Sequence, residues 1–101
     1  MSCPDVNQVE LMAQLAEISA LRYTPSGLPV VECRLNHESE IEEAGIVRKV
    51  NLNLKSKAVG ILAEKLIRQP LNTSFLFTGF LASGTKSTSV IFHIHSYQTV
   101  S

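Results

Sequence analysis

Three segments of this chain repeat apolar residues at every second position, and a fourth switches to helical spacing before two strand-like runs close the sequence. In residues 7–22, Val9, Leu11, Ala13 and Leu15 keep period two, the mark of a strand covered on one face. Glu, Met, Ala, Gln and Leu are also good helix formers, so a helix is the competing reading of this stretch. The turn Tyr23-Thr24-Pro25-Ser26-Gly27 ends the segment either way. Pro25 presets φ for the second turn position, and Gly27 takes a positive φ without a Cβ clash.

Residues 28–39 place Val31, Cys33, Leu35 and His37 on one face and Val30, Glu32, Arg34, Asn36 and Glu38 on the other. Residues 38–45 then read as an acidic loop closed by Gly45. In residues 46–55, Val50, Leu52 and Leu54 point inward, while Lys49, Asn51, Asn53 and Lys55 point out. Alternation of this kind belongs to antiparallel sheets packed on one side. Ser56 is placed to cap a helix whose Val59, Leu62, Ala63 and Leu66 follow helical spacing, with Pro70 past its end. Residues 73–82 are nearly continuous in apolar side chains, and residues 89–100 put Val90, Phe92 and Ile94 on one face. Three strands, a helix and two strands is the order of the OB-fold. The predicted fold is therefore all-β, a five-stranded Greek-key barrel with one short helix between strands three and four.

The 101 residues, 45% of them hydrophobic, suffice for one such domain spanning residues 1–101, with residues 1–6 as a flexible tail. Nothing approaches the roughly 20 consecutive apolar residues of a membrane-spanning helix, and no membrane role is expected. The opening Met1-Ser2-Cys3-Pro4-Asp5 lacks a basic start followed by an apolar run, so the cytoplasm is the expected compartment. A reducing compartment would keep Cys3 and Cys33 as thiols rather than a disulfide. The formal net charge is zero, so any grip on phosphates must come from how the charges are distributed, and it should weaken with salt.

Particular residues carry a resemblance. Asn7-x-Val9-x-Leu11, Leu21-Arg22-Tyr23-Thr24-Pro25-Ser26-Gly27-x-Pro29-Val30 and Phe75-x-Phe77-x-Gly79 resemble segments of bacterial single-stranded DNA-binding proteins. Leu35-x-His37-x-Ser39, the Glu42-Glu43-Ala44-Gly45 segment and Gly79-Phe80 look more like a shorter relative, the primosomal replication protein N family. That resemblance covers residues 7–100. It implies a homodimer that binds single-stranded DNA without sequence preference and assists replication restart, bridging the DNA to a restart helicase and a primosome loading factor. It implies no catalytic activity and no cofactor. Arg22 stands where the family has a basic DNA-contacting residue. Asn51 and Glu38 stand where its best-known branch has a base-stacking tryptophan and an arginine. The connection of residues 83–89 holds only Lys86 where that branch has a longer, lysine-bearing loop. These departures imply a weaker grip on DNA.

Single-strand binders combine a basic groove with aromatic platforms. The outward set Arg34, Lys49, Asn51 and Lys55, extended by Arg22 and Lys86, fits such a track; ordinary solvated surface charge is the alternative. Phe80 falls in the phase opposite Phe75 and Phe77 and so faces out, either to stack on a base or to pack in a dimer interface or under a loop. Tyr23 can present its ring from the turn. His93-x-His95 has the spacing of some metal sites, yet no Cys or carboxylate cluster completes a tetrahedral set, so surface or interface histidines are the better reading and no metal is expected. The crowded Glu38, Glu40, Glu42 and Glu43 read as a solvated hairpin that recruits a basic partner or borders the DNA site, not as a paired acid and base. The expected function is single-stranded DNA binding in replication restart. The alternative is a protein-interaction module that works mainly through helicase contact.

Overall fold

The computed structural model describes residues 5–84 and 88–100. Along the chain run β1 (Val9–Ile18), β2 (Arg22–Tyr23), β3 (Pro29–Glu43), β4 (Ile46–Val59), α1 (Ile61–Leu66), β5 (Ser74–Ser83) and β6 (Val90–Thr99). The long strands neighbour one another in the order β1-β5-β6-β4-β3, and β1 also pairs with β3. That last pairing closes a five-stranded barrel, the OB-fold, with α1 between β4 and β5. β1 serves both neighbours: residues 9–14 pair with β5, residues 14–18 with β3, and a bulge between Leu15 and Glu17 marks the transfer.

The barrel interior is filled by Leu15, Val31, Leu35, Phe75, Phe77 and Phe92, all essentially inaccessible to water. Each such side chain contributes about 1.5–3 kcal/mol by leaving water. Phe75 meets the edges of Phe77 and Tyr97 at centroid distances of 5.7 and 5.3 Å. α1 closes one end of the barrel with Ala63 and Leu66. Cys33 is a buried free thiol on this inner face, and burial pushes its pKa up to about 12. Cys3 lies outside the described residues, as does most of the expected tail.

The predicted turn is present. Gly27 has φ 88°, its N–H donates to the Thr24 carbonyl at 2.8 Å, and Thr24 Oγ1 accepts from the Leu28 N–H at 3.1 Å. Residues 7–22 resolve into a strand ending at Ile18 and the two-residue β2, which pairs Arg22 with Val30 and Tyr23 with Pro29.

Four expectations need correction. The acidic segment is not a loop: β3 and β4 stay paired out to Glu43 and Ile46, and only Ala44 and Gly45, at φ 53° and 79°, make the turn. The outer part of this hairpin is a ribbon projecting past the barrel. Consequently Leu52 does not point into the core; it is 40% exposed, and of the three predicted inward residues of β4 only Leu54 packs against the core. Ser56 is not a helix cap but a buried residue of β4, its hydroxyl donating to the Leu54 carbonyl at 3.2 Å. β4 continues to Val59, and Gly60, at φ 83°, turns the chain into the helix. Finally, Val30 was expected outside but is buried at the rung where β2, β3 and Val59 of β4 meet.

Candidate nucleic-acid interface

The register of the sheet decides which outward residues meet. Arg34 lies directly opposite Lys55, and Glu32 opposite Lys57, on adjacent rungs of the same face of β3–β4. The short parallel pairing of β4 with β6 sets Lys57 beside His93, and β5 sets Phe80 beside His93. Glu32, Lys57, His93 and Phe80 therefore form one row across four strands, about 14 Å from end to end at the usual strand spacing. At its near end Arg22 joins the row through a 2.7 Å ion pair to Glu32.

Phe80 is half-buried, on the face opposite the inaccessible Phe75 and Phe77. Its ring stacks on His93 with centroids 4.8 Å apart and planes 10° from parallel, and it meets His95 at 4.9 Å and 61°. A bulge between Thr78 and Gly79 inserts an extra residue on β6, which lets both histidines reach one phenylalanine. Gly79 makes this possible, because a Cβ there would collide with the His93 carbonyl oxygen. Partial burial, then Lys57, then His95 hold the His93 pKa below the usual imidazole value.

Arg34 and Lys55 form part of the wall of an open cleft of about 660 Å³, shared with Glu17, Ser19, Cys33 and Leu71. Arg34 is steadied by Asn53 Oδ1 at 3.1 Å and by Glu17 at 3.6 Å. Among the described residues the ion pairs all use arginines, so Lys55 and Lys57 hold their charges toward solvent without a carboxylate partner.

The other predicted positions lie elsewhere. Lys49 shares the face of Lys55 but stands six residues up the ribbon, about 20 Å away at strand rise, opposite Glu40 and flanked by Glu38 and Glu42. Asn51 is opposite Glu38 and lines a separate cleft of about 620 Å³ with Gln14, Asn36 and Asn53. Tyr23 is 61% exposed at the margin, next to Arg22. Lys86 lies outside the described residues. His37, predicted inward, is half-buried against β1, its ring hydrogen-bonded to the Met12 carbonyl at 2.6 Å and to Ser39 Oγ at 2.9 Å. Sequence reasoning missed Lys57 because the Ser56 cap ended the strand too early, although Lys57 continues the alternation of Lys55. It passed over His93 and His95 as partners of Phe80 because the bulge that joins them leaves no periodic mark.

Comparison with known proteins bears on the family and the fold. Residues 7–96 match a family described as another single-strand binding protein family. The replication restart protein PriB of Bordetella pertussis is 44% identical over 93 residues, 92% of this chain and 86% of that protein. PriB of Nitrosomonas europaea is 32% identical over 95 residues, 93% of this chain and 88% of that protein. The solved PriB of Ralstonia solanacearum superposes with a TM-score of 0.86 at 33% identity, covering 94% of this chain and 98% of that one. The single-stranded DNA-binding protein of Thermus aquaticus shares the fold, with a TM-score of 0.75 at 22% identity over 95% of this chain and 50% of that one. Membership here means binding rather than catalysis: the chain belongs to the single-strand binding protein family, among its PriB replication restart relatives.

Proposed function

We propose that this protein holds single-stranded DNA without sequence preference on the outer barrel face, as an accessory of replication restart. The observation that carries the reading is the contiguous set of Arg34, Lys55 and Lys57 running into Phe80, on a barrel of single-strand binding lineage. Phosphates need cations and bases need flat apolar partners, and this face supplies both within one strand's reach. Arg22 and Tyr23 extend it at one margin. The Arg22–Glu32 pair is exposed and so worth only about 0–1 kcal/mol, which leaves the guanidinium free to exchange its carboxylate for a phosphate. Lys49 and Asn51 act at most as outlying contacts, because Glu38, Glu40 and Glu42 repel a backbone there.

The remaining parts of the function concern proteins. Beyond the barrel, Ile41, Ile46 and Leu52 are 53%, 67% and 40% exposed on one face of the ribbon, beside the Glu43–Arg48 ion pair, and Glu38, Glu40 and Glu42 lie on the other. This supports a second reading, in which the ribbon engages the restart helicase or the loading factor and the DNA grip is secondary. A homodimer in the cytoplasm completes the proposal.

Fluorescence anisotropy of a labelled thymidine oligomer, titrated at several salt concentrations, tests the DNA reading. Three phosphate contacts give a log–log slope of about −2 for a single strand. A flat response, or preference for duplex, would overturn it and leave the protein-interaction reading.

A further inference from the structure

We propose that His93 and His95, gathered around Phe80, are part of the single-strand contact and make DNA binding proton-linked, tightening as pH falls. The inference rests on the DNA reading above and adds to it the residues that tune the contact. Both imidazoles lie on the outward face, His95 exposed and His93 partly so, and both touch the same ring. Lys57 is the neighbour of His93 on β4. On β3, Glu32 faces Lys57 and is itself held by Arg22. On β5 the neighbour is Phe80, which carries no charge. The charged groups beside His93 are thus Lys57 and His95; Glu32, one strand further on, is paired to Arg22, and Glu10 of β1 stands opposite Thr78 on the far side of β5.

For His93, partial burial and the neighbouring Lys57 resist protonation in the free protein. Two imidazoliums beside Lys57 would put three like charges on one small patch, which disfavours the charged forms. A phosphate laid across the patch reverses that balance. It compensates the repulsion and raises the pKa of each ring it contacts, so strand binding takes up protons. By linkage, lower pH then favours the bound state. The stacked geometry helps, because a protonated His93 would lie over the Phe80 ring within cation–π distance. The effect is large for this chain because its formal charge is zero, nine basic against nine acidic residues. Two added protons roughly double the cations that Lys55 and Lys57 supply.

The test is anisotropy of a labelled thymidine oligomer of about 15 nucleotides at constant ionic strength, between pH 8 and pH 6. Wild type is compared with the double variant His93→Gln/His95→Gln. With a single-strand slope of about −0.7 per phosphate contact, each protonated ring adds about fivefold in affinity at ~0.1 M salt relative to 1 M. Wild type should tighten by that order or more, while the variant changes less than about twofold. Equal pH dependence in both proteins overturns the inference and leaves the DNA reading standing. Failure of wild type to bind at any pH in low salt removes the DNA reading as well.

A second measurement needs no variant. Histidine ring resonances of the wild-type protein, titrated with and without the oligomer, should show the His93 and His95 pKa values raised by DNA. His37, held by Met12 and Ser39 on the other side of β3, serves as the internal control and should not move. Unmoved titrations of His93 and His95 would contradict the proposal.

Discussion

The two ends of the β3–β4 hairpin are made of the same two strands in one unbroken register, yet they are different materials. At the barrel end, inward residues such as Leu35 and Ser56 are inaccessible, and the outward rungs are Arg34–Lys55 and Glu32–Lys57. At the ribbon end both faces meet solvent, and the outward rungs become Glu38–Asn51 and Glu40–Lys49. Net charge is sorted along one ladder: cations outnumber carboxylates where β5 and β6 extend the sheet into a wide face, and carboxylates outnumber cations where only two strands remain. A wide face can hold a nucleic-acid strand, whereas a narrow acidic ribbon repels one and is free for protein contact. A net charge of zero conceals this separation.

The barrel and the ribbon differ most at their glycines. Gly79→Ala in the barrel drives a Cβ into the His93 carbonyl, and we expect a loss of about 3 kcal/mol or more, seen as a melting temperature lower by about 10–20 °C. Gly45→Ala at the ribbon tip meets no neighbouring atom and carries only the strain of its φ of 79°, about 1 kcal/mol. Equal losses at both sites would show that the ribbon is as tightly determined as the barrel.

Charge reversal separates the ends by binding. Lys55→Glu/Lys57→Glu should weaken single-strand affinity by about 25-fold or more at ~0.1 M salt, and Lys49→Glu by less than about twofold. Alkaline pH probes the buried end. Cys33 has its folded pKa raised to about 12 from a reference of 9.0. Its contribution to stability is therefore complete below pH 9 and lost progressively as pH rises toward 12, at up to about 1.4 kcal/mol per pH unit. Urea midpoints measured from pH 8 to pH 10.5 should fall in wild type and fall less in Cys33→Ala. The smallest effect is at the aromatic platform. Phe80→Ala should keep the fold and weaken binding by about fivefold, the lower end of the stacking range, because His93 already covers one face of the ring. Unchanged affinity would assign Phe80 to structure.

Much of the fold is legible in the sequence because turn chemistry and periodicity point the same way. Gly27 and Pro25 end the first hairpin connection, the alternation of Val31, Cys33 and Leu35 marks an inner face, and Leu62, Ala63 and Leu66 mark the helix. The ribbon is less legible because Glu38, Glu40, Glu42 and Glu43 have poor strand propensity, and their extension is decided by partners on β4. Ser56 misleads because a serine before a helical pattern is a good cap, yet here the strand outlasts the signal and Gly60 makes the bend. The outward cations follow from alternation alone. Their grouping does not, since the Lys57–His93–Phe80 row depends on a parallel pairing and a bulge that only the closed barrel defines.

The central claim is that a single strand lies on the barrel face and not on the ribbon. Backbone amide chemical shifts recorded during titration with a thymidine oligomer test this directly. Perturbations are expected at Arg34, Lys55, Lys57, Phe80 and His93, with residues 40–49 unmoved. Perturbations confined to residues 40–49, with the barrel face silent, would contradict it.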